Sequence, residues 1–167
     1  YWHLALFYLD GGHFDRALAL FDRRVHPEPA AYLLALVDAT ALLWRLRLEN
    51  VDVGERFERV ADEWQAVRDR ERGFYAFNDF HAAMAFTATG RRDALAHLTA
   101  GLREAAGGRS TNAAMSREVG LPLVAGVTAY GEGRYADAIA AIEPVRDIAN
   151  RFGGSHAQRD VLTLTLI

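Results

Sequence analysis

The sequence predicts an all-α protein, a right-handed α-solenoid of antiparallel helix hairpins with about nine helices and no sheet. Three observations predict it. Apolar residues recur at helical spacing along nearly the whole chain. No stretch of four or more residues alternates with strand composition, and the glycines fall where the helical patterns stop. With 167 residues, 51% of them hydrophobic, there is enough apolar side chain for one core, so the chain reads as a single unit spanning 1–167.

The first helix places Tyr1, Leu4, Ala5 and Tyr8 on one face, and the second repeats the pattern with Phe14, Ala17, Leu18 and Phe21. A third, at about 29–49, carries Leu33, Leu36, Val37, Leu42, Leu43 and Leu46. Asp52 followed by Glu55 reads as a capping box opening the fourth, which Gly73 ends. Helices at about 75–89 and 91–106 flank Gly90, and the loop 107–112 leads into a seventh at about 113–131. The eighth runs from about 134 to 152. Pro122 fits an early turn or a kink, whereas Pro144 falls mid-helix, where it costs about 3 kcal/mol and bends the axis. Gly153 and Gly154 then stop the eighth helix, and Ser155 with Gln158 forms a capping box for a ninth.

Three turns look alike: Gly12-His13-Phe14-Asp15-Arg16-Ala17, Gly90-Arg91-Arg92-Asp93-Ala94 and Gly133-Arg134-Tyr135-Ala136-Asp137-Ala138. With Ala61 between the first two, the alanines step by 44, 33 and 44 residues. A methyl is what fits where two helices of a hairpin cross closely. The first repeat also follows the tetratricopeptide pattern through Tyr1, Leu4, Ala5, Tyr8, Ala17, Phe21 and Pro29, and the last keeps Gly126, Tyr135, Ala138 and Ile142. Beyond the repeat, the phrases YWHLALFYLDGGHFDRALALFD, DATALLWRL, VDVGERF, FNDFHAAMA, REVGLPLVAG and GGSHAQRDV occur in this order. In these the chain resembles the tetratricopeptide-repeat protein 38-like family over nearly its whole length. The resemblance implies a tetratricopeptide-like solenoid, with complete proteins continuing on both sides of such a segment. It carries no catalytic residue over. Tyr1 at the start and DVLTLTLI at the end fit the same expectation of a piece of a longer chain.

Composition excludes several kinds of chemistry. A net charge of −3 argues against nucleic acid. All 19 basic residues are arginine, which reads as coding bias and not as phosphate chemistry. The absence of cysteine removes disulfides, thiol catalysis and zinc-thiolate sites. No apolar run reaches the roughly 20 residues of a membrane span and no signal peptide is visible, so the expected location is cytoplasmic. There is no GxSxG elbow, phosphate loop or dinucleotide fingerprint. His156 and Asp160 share a helix face but make half a metal site, so no metal and no cofactor are assigned.

The polar residues on apolar helices remain. His3 lies in an aromatic, leucine-rich helix, as a ligand group or as an interhelix hydrogen-bonding histidine. Asp38 interrupts LLALVDATALLWRL, with Arg45 or Arg47 as a candidate ion-pair partner. Asn78 and His81 share a face; Asn78 is a candidate cap and His81 a candidate proton shuttle. Arg159 and Asp160 are not required by the ninth helix's cap. His3, Asp38, Asn78, His81, Arg117, Gln158, Arg159 and Asp160 all fall on odd-numbered helices, whose faces would line one concave groove. Trp2, Leu6 and Leu9 at one end, and Leu123, Val127 and Tyr130 at the other, would make that groove apolar. The expected function is therefore a scaffold that binds a protein or peptide, or the remainder of its own chain, without assigned catalysis. Trp2, Tyr8 and Tyr130 would anchor it, and Asp38, His81 and Arg159 would set polar register. The alternatives are an enzyme or small-ligand site in the same groove, using His3, Asp38, His81 and Arg159 with residues from outside the segment, or a purely structural segment.

Overall fold

The computed structural model describes residues 1–27, 32–71 and 73–167, and among these it is helical throughout, with no strand. Helices α1 (Trp2–Asp10) and α2 (Phe14–Leu20) are followed by a π turn (Phe21–Val25), α3 (Leu33–Leu48), α4 (Arg56–Glu71), α5 (Ala76–Ala88) and α6 (Arg92–Ala106). The expected seventh helix is broken into α7 (Thr111–Met115), a π turn (Ser116–Gly120) and α8 (Leu121–Gly131). Pro122 sits in the first turn of α8, where its missing N–H costs nothing. The eighth also stops early: α9 (Tyr135–Arg146) ends two residues after Pro144, and a 3₁₀ turn (Ala149–Phe152) follows. The ninth is split into α10 (His156–Arg159) and α11 (Val161–Leu166). Pro29 of the first repeat lies outside the described residues.

One local geometry recurs at the ends of α1, α3, α5 and α8. At each, an amide bonds back to a carbonyl five residues earlier: His13 to Tyr8 at 2.7 Å, Val51 to Leu46 at 2.9 Å, Arg91 to Phe86 at 2.9 Å and Arg134 to Ala129 at 2.9 Å. The residue before it is left-handed, Gly12, Asn50, Gly90 and Gly133 with φ of 70°, 58°, 67° and 73°. This six-to-one closure satisfies the orphan carbonyls of a helix end and turns the chain sharply. The three look-alike Gly turns are thus one structure, and Asn50 supplies a fourth copy that the glycine pattern did not reveal. The capping box expected at Asp52 is absent, since its carboxylate accepts from the Gly54 amide at 2.8 Å, two residues on, and makes an Asx turn. At the far end of the chain, the Ser155–Gln158 box is present in both directions.

Helices adjacent in sequence pack on one another: α1 on α2, α3 on α4, α5 on α6 and α8 on α9. The first members also lie side by side, α1 with α3, α3 with α5 and α5 with α8. Ala17, Ala61 and Ala138 are buried where methyls were expected, while Ala94 is only half-buried. The buried stripe of α1 is Trp2, Ala5 and Leu9, and not the expected Tyr1, Leu4, Ala5 and Tyr8: Tyr1 and Leu4 are exposed, because the packed neighbours lie on the Trp2 side. Helix α5 is buried at every position from Ala76 to Phe86, which is why it holds so many small residues beside its aromatics. No helix among the described residues is long and apolar enough to cross a membrane.

Helices α8 and α9 cross closely at Gly126, where an added Cβ would lie 2.4 Å from Ile142 Cγ1. Gly126→Ala should therefore destabilise the fold by about 1–3 kcal/mol despite alanine's better helix propensity. Ile142→Val in the same chain should recover part of that loss, as measured by urea unfolding. A neutral or stabilising Gly126→Ala would contradict the crossing.

Candidate functional site

The face made by α1, α3 and α5 carries most of the singled-out residues, and it is covered. Residues 149–166 fold back over it, so that α11 lies against both α3 and α9. Phe152 meets the Phe77 ring edge-on at 5.2 Å and the Phe80 ring at 5.9 Å. Gly153 and Gly154, with φ of 98° and 76°, turn the chain away from these rings. Only glycine fits there, because an added Cβ would stand 2.0 Å from the Tyr75 hydroxyl or 2.5 Å from the Phe77 ring. Further along, the Trp44 indole donates to Thr165 Oγ1 at 3.1 Å, and Thr165 donates to Val161 O at 2.6 Å.

Arg45 is the centre of this closure. Its side chain is 2% exposed, and it donates to Ala41 O at 2.8 Å, to Ala157 O at 2.7 Å and to the Asp160 carboxylate. The guanidinium also lies over the Trp2 ring, 5.6 Å from its centroid. Trp2 in turn donates its indole N–H to the Asp38 carbonyl at 2.9 Å. The ion pair expected for Asp38 is therefore made by Asp160 instead: Arg45 reaches across to α10, and Asp38 accepts from Gln158 Nε2 at 3.3 Å. Arg47 points elsewhere, donating to Ala88 O at 3.1 Å. Burial raises the Asp38 carboxyl above its ordinary range, partly offset by the Gln158 hydrogen bond and the charge of His3.

The remaining singled-out residues divide. His3 is exposed and edges the Trp2 ring at 5.3 Å. With Asp38, Arg24, Ser155 and Gln158 it lines a polar cavity of about 430 Å³. On the other side of Arg45, a second cavity of about 660 Å³ runs past Leu6, Leu9, Asp10, Glu49 and Asp160. Tyr130 packs between Trp44 and Tyr135, each ring 5.6 Å away. Arg159 is turned back on its own corner, donating to Gly153 O at 3.3 Å and to Gly154 O. Asn78 does not cap α5, whose N-cap is Tyr75; it is buried in the first turn. Leu123 and Val127, expected along the groove, are core. Arg117 does not join this face either, but donates to Ala106 O at 2.8 Å beside α6.

His81 is wholly buried between Phe77 and Phe80, its ring 4.5 and 5.3 Å from theirs. Its Nδ1–H donates to Phe77 O at 2.9 Å, and its Nε2 has no hydrogen-bond partner among the described residues. Burial, with a smaller contribution from the Arg45 charge, lowers its pKa to about 4. It is neutral at pH 7, which leaves it a packing group and not the proton shuttle its sequence neighbours suggested. Sequence reasoning missed the roles of Arg45 and Trp44. A lone arginine inside ALLWRL is as strong a signal as the lone aspartate before it, but it was read only as that aspartate's partner.

The chain matches no protein-family model, and no solved structure matches it.

Removing Asp160 leaves Arg45 buried with carbonyls alone, whereas removing both partners leaves nothing charged behind. Because the Asp160 side chain is half-exposed, Asp160→Ala should cost about 1–3 kcal/mol, and the double variant Arg45→Met/Asp160→Ala should recover most of it. Thermal and urea unfolding of the three proteins decide this, and equal losses for single and double variants would refute it. His81 gives a pH signature. Below about pH 6.5 the unfolded chain binds a proton that the folded one refuses until its pKa of about 4. Stability should thus fall as pH drops through that window, by about 3 kcal/mol at full extent. The difference in unfolding free energy between the wild type and His81→Gln should shift by that amount between pH 7 and pH 4, whereas the opposite-signed Asp38 contribution cancels in the comparison. A pH-independent difference would rule out the buried neutral imidazole.

Proposed function

We propose that this chain is a tetratricopeptide-like helical scaffold, a right-handed solenoid of antiparallel hairpins whose concave face holds an extended or short-helical protein segment. The repeated left-handed turn after α1, α3, α5 and α8 supports the repeat, as do the buried alanines at three of its crossings. The observation that carries the function is the placement of residues 149–166 on α3 and α5. Apolar anchors from this segment are buried there, namely Phe152, Val161 and Leu162. Its register is set by polar contacts from Asp38, Arg45 and Trp44. A face that accepts one segment in this manner has the chemistry to accept another with an aromatic anchor, a carboxylate and an apolar turn in the same order. The neutral, fully enclosed His81 weighs against the acid–base enzyme alternative.

The segment's attachment raises its effective concentration at the face to the millimolar range. A fluorescein-labelled peptide of residues 149–167 should therefore bind the wild-type chain poorly. It should bind at least tenfold more tightly to a Phe152→Ala/Asp160→Ala chain whose own segment is weakened. Fluorescence anisotropy measures both, with circular dichroism to confirm that the variant is folded. Equal affinity for the two chains, or no binding to the weakened one, would remove the reading.

A further inference from the structure

A second groove lies away from the covered face, and its chemistry differs. It runs between α6 on one side and α8 with α9 on the other, with a volume of about 820 Å³. On α6, Arg92, Leu95, Thr99 and Arg103 share one stripe, and the two arginines are 11 residues apart, about 16 Å along the axis. Leu121, Pro122 and Ala125 face them across the floor. Arg117 stands at the Arg103 end, tethered by one nitrogen to Ala106 O. None of Arg92, Arg103 and Arg117 forms an ion pair among the described residues. Arg134 at the opposite end does, with Glu132 at 2.6 Å and with Asp137. The lining thus holds four arginines against two carboxylates, in a chain whose net charge is −3.

We propose that this groove docks an acidic amphipathic helix of about three turns from a partner protein. The length follows from the stripe: three turns span about 16 Å. The girth fits as well, since a helix about 10 Å across and 16 Å long occupies about 1,250 Å³, so that the groove takes more than half of it. The apolar floor receives leucine-sized anchors at i, i+3 or i+4 and i+7. Arg103 and Arg117 together present unpaired guanidinium donors at one end, where a pair of partner carboxylates is held, and Arg92 takes a third. The charge balance of the lining selects against a basic helix. This reading shares the scaffold assignment but uses a face that residues 149–166 do not touch, so each can fail without the other.

A displayed library of 14-residue helical peptides, selected on the whole chain, tests it. The enriched sequences should combine a leucine-type stripe with two or more Glu or Asp at one end. Their binding should weaken with added salt and fall at least tenfold on Arg103→Glu/Arg117→Glu or Ala125→Trp. Arg117→Glu also removes the hydrogen bond to Ala106 O at the end of α6, so the charge variant should unfold at a lower midpoint, whereas Arg103→Gln, at an exposed position, should keep the wild-type midpoint and still weaken binding. Binding of the 149–167 peptide to the weakened chain should be unaffected by these groove substitutions. The proposal is overturned by an absence of enrichment, by enrichment without acidic residues, or by binding that survives both groove variants. It is equally overturned if decanoate or anionic vesicles occupy the groove in place of peptides, or if the chain dimerises through this face in sedimentation experiments and the arginine variants dissolve the dimer.

Discussion

A guanidinium enclosed to 2% exposure must be given acceptors on every side, and much of the arrangement around α3 follows from how Arg45 obtains them. Its own helix supplies one carbonyl, Ala41, α10 supplies the Ala157 carbonyl, and Asp160 between α10 and α11 supplies the carboxylate. Trp2 of α1 supplies an aromatic face, and is itself fixed by the Asp38 carbonyl about two turns before Arg45 on the same α3. Three segments far apart in sequence are thereby referred to one side chain. The burial lowers the pKa of Arg45, which the Asp160 charge opposes, and the group stays cationic because its ordinary value is so high. A lysine would not serve: it lacks the fork that bonds Ala41, Ala157 and Asp160 at once, and it would lose its proton far more readily on burial.

The all-helical character and the sharp turns between helices were legible in the sequence because their signals are local. A glycine at the left-handed position and an alanine four or five residues later mark three of the four sharp turns, and both residue types act through backbone geometry. The fourth turn uses Asn50, which tolerates the same φ without announcing it. Helix interruptions were less legible. The π turns at Phe21–Val25 and Ser116–Gly120 close i→i+5 and so shift the apolar stripe, but each starts from right-handed helical backbone, so nothing in the apolar pattern marks where it begins. The Pro144 break was visible, but the helix runs on for two residues beyond it, to Arg146.

The candidate site was legible as a set of residues and not as an arrangement. Trp2, Asp38, Gln158 and Asp160 do converge, through bonds spanning 36 to 120 positions in sequence. What the sequence hid was that they converge by joining residues 149–166 to α3 and α5. The reason is physical: DVLTLTLI has too few residues and too even an apolar content for periodicity to say which face it buries. His81 fails for a related reason. Its polarity stands out in a string of letters, whereas its fate depends on Phe77, Phe80 and Phe152, the last of which lies 71 positions away.

The covering segment also says something about how the face works. Helices α10 and α11 have four and six residues, well below the dozen or so that a helix needs to persist alone in water. Their helicity is therefore supplied by the surface they lie on: Trp44 orders Thr165, Arg45 holds the α10 carbonyl at Ala157, and the rings of Phe77 and Phe80 hold Phe152. Folding of this segment and its docking are one event, with the ordering entropy set against the contacts made. The Gly153–Gly154 corner lowers that cost, because it meets Tyr75 and Phe77 so closely that few other directions are open to the chain leaving Phe152. A segment arriving from another molecule would lack this corner, and would have to find its direction on the face from the Arg45 carboxylate contact and the aromatic anchor alone.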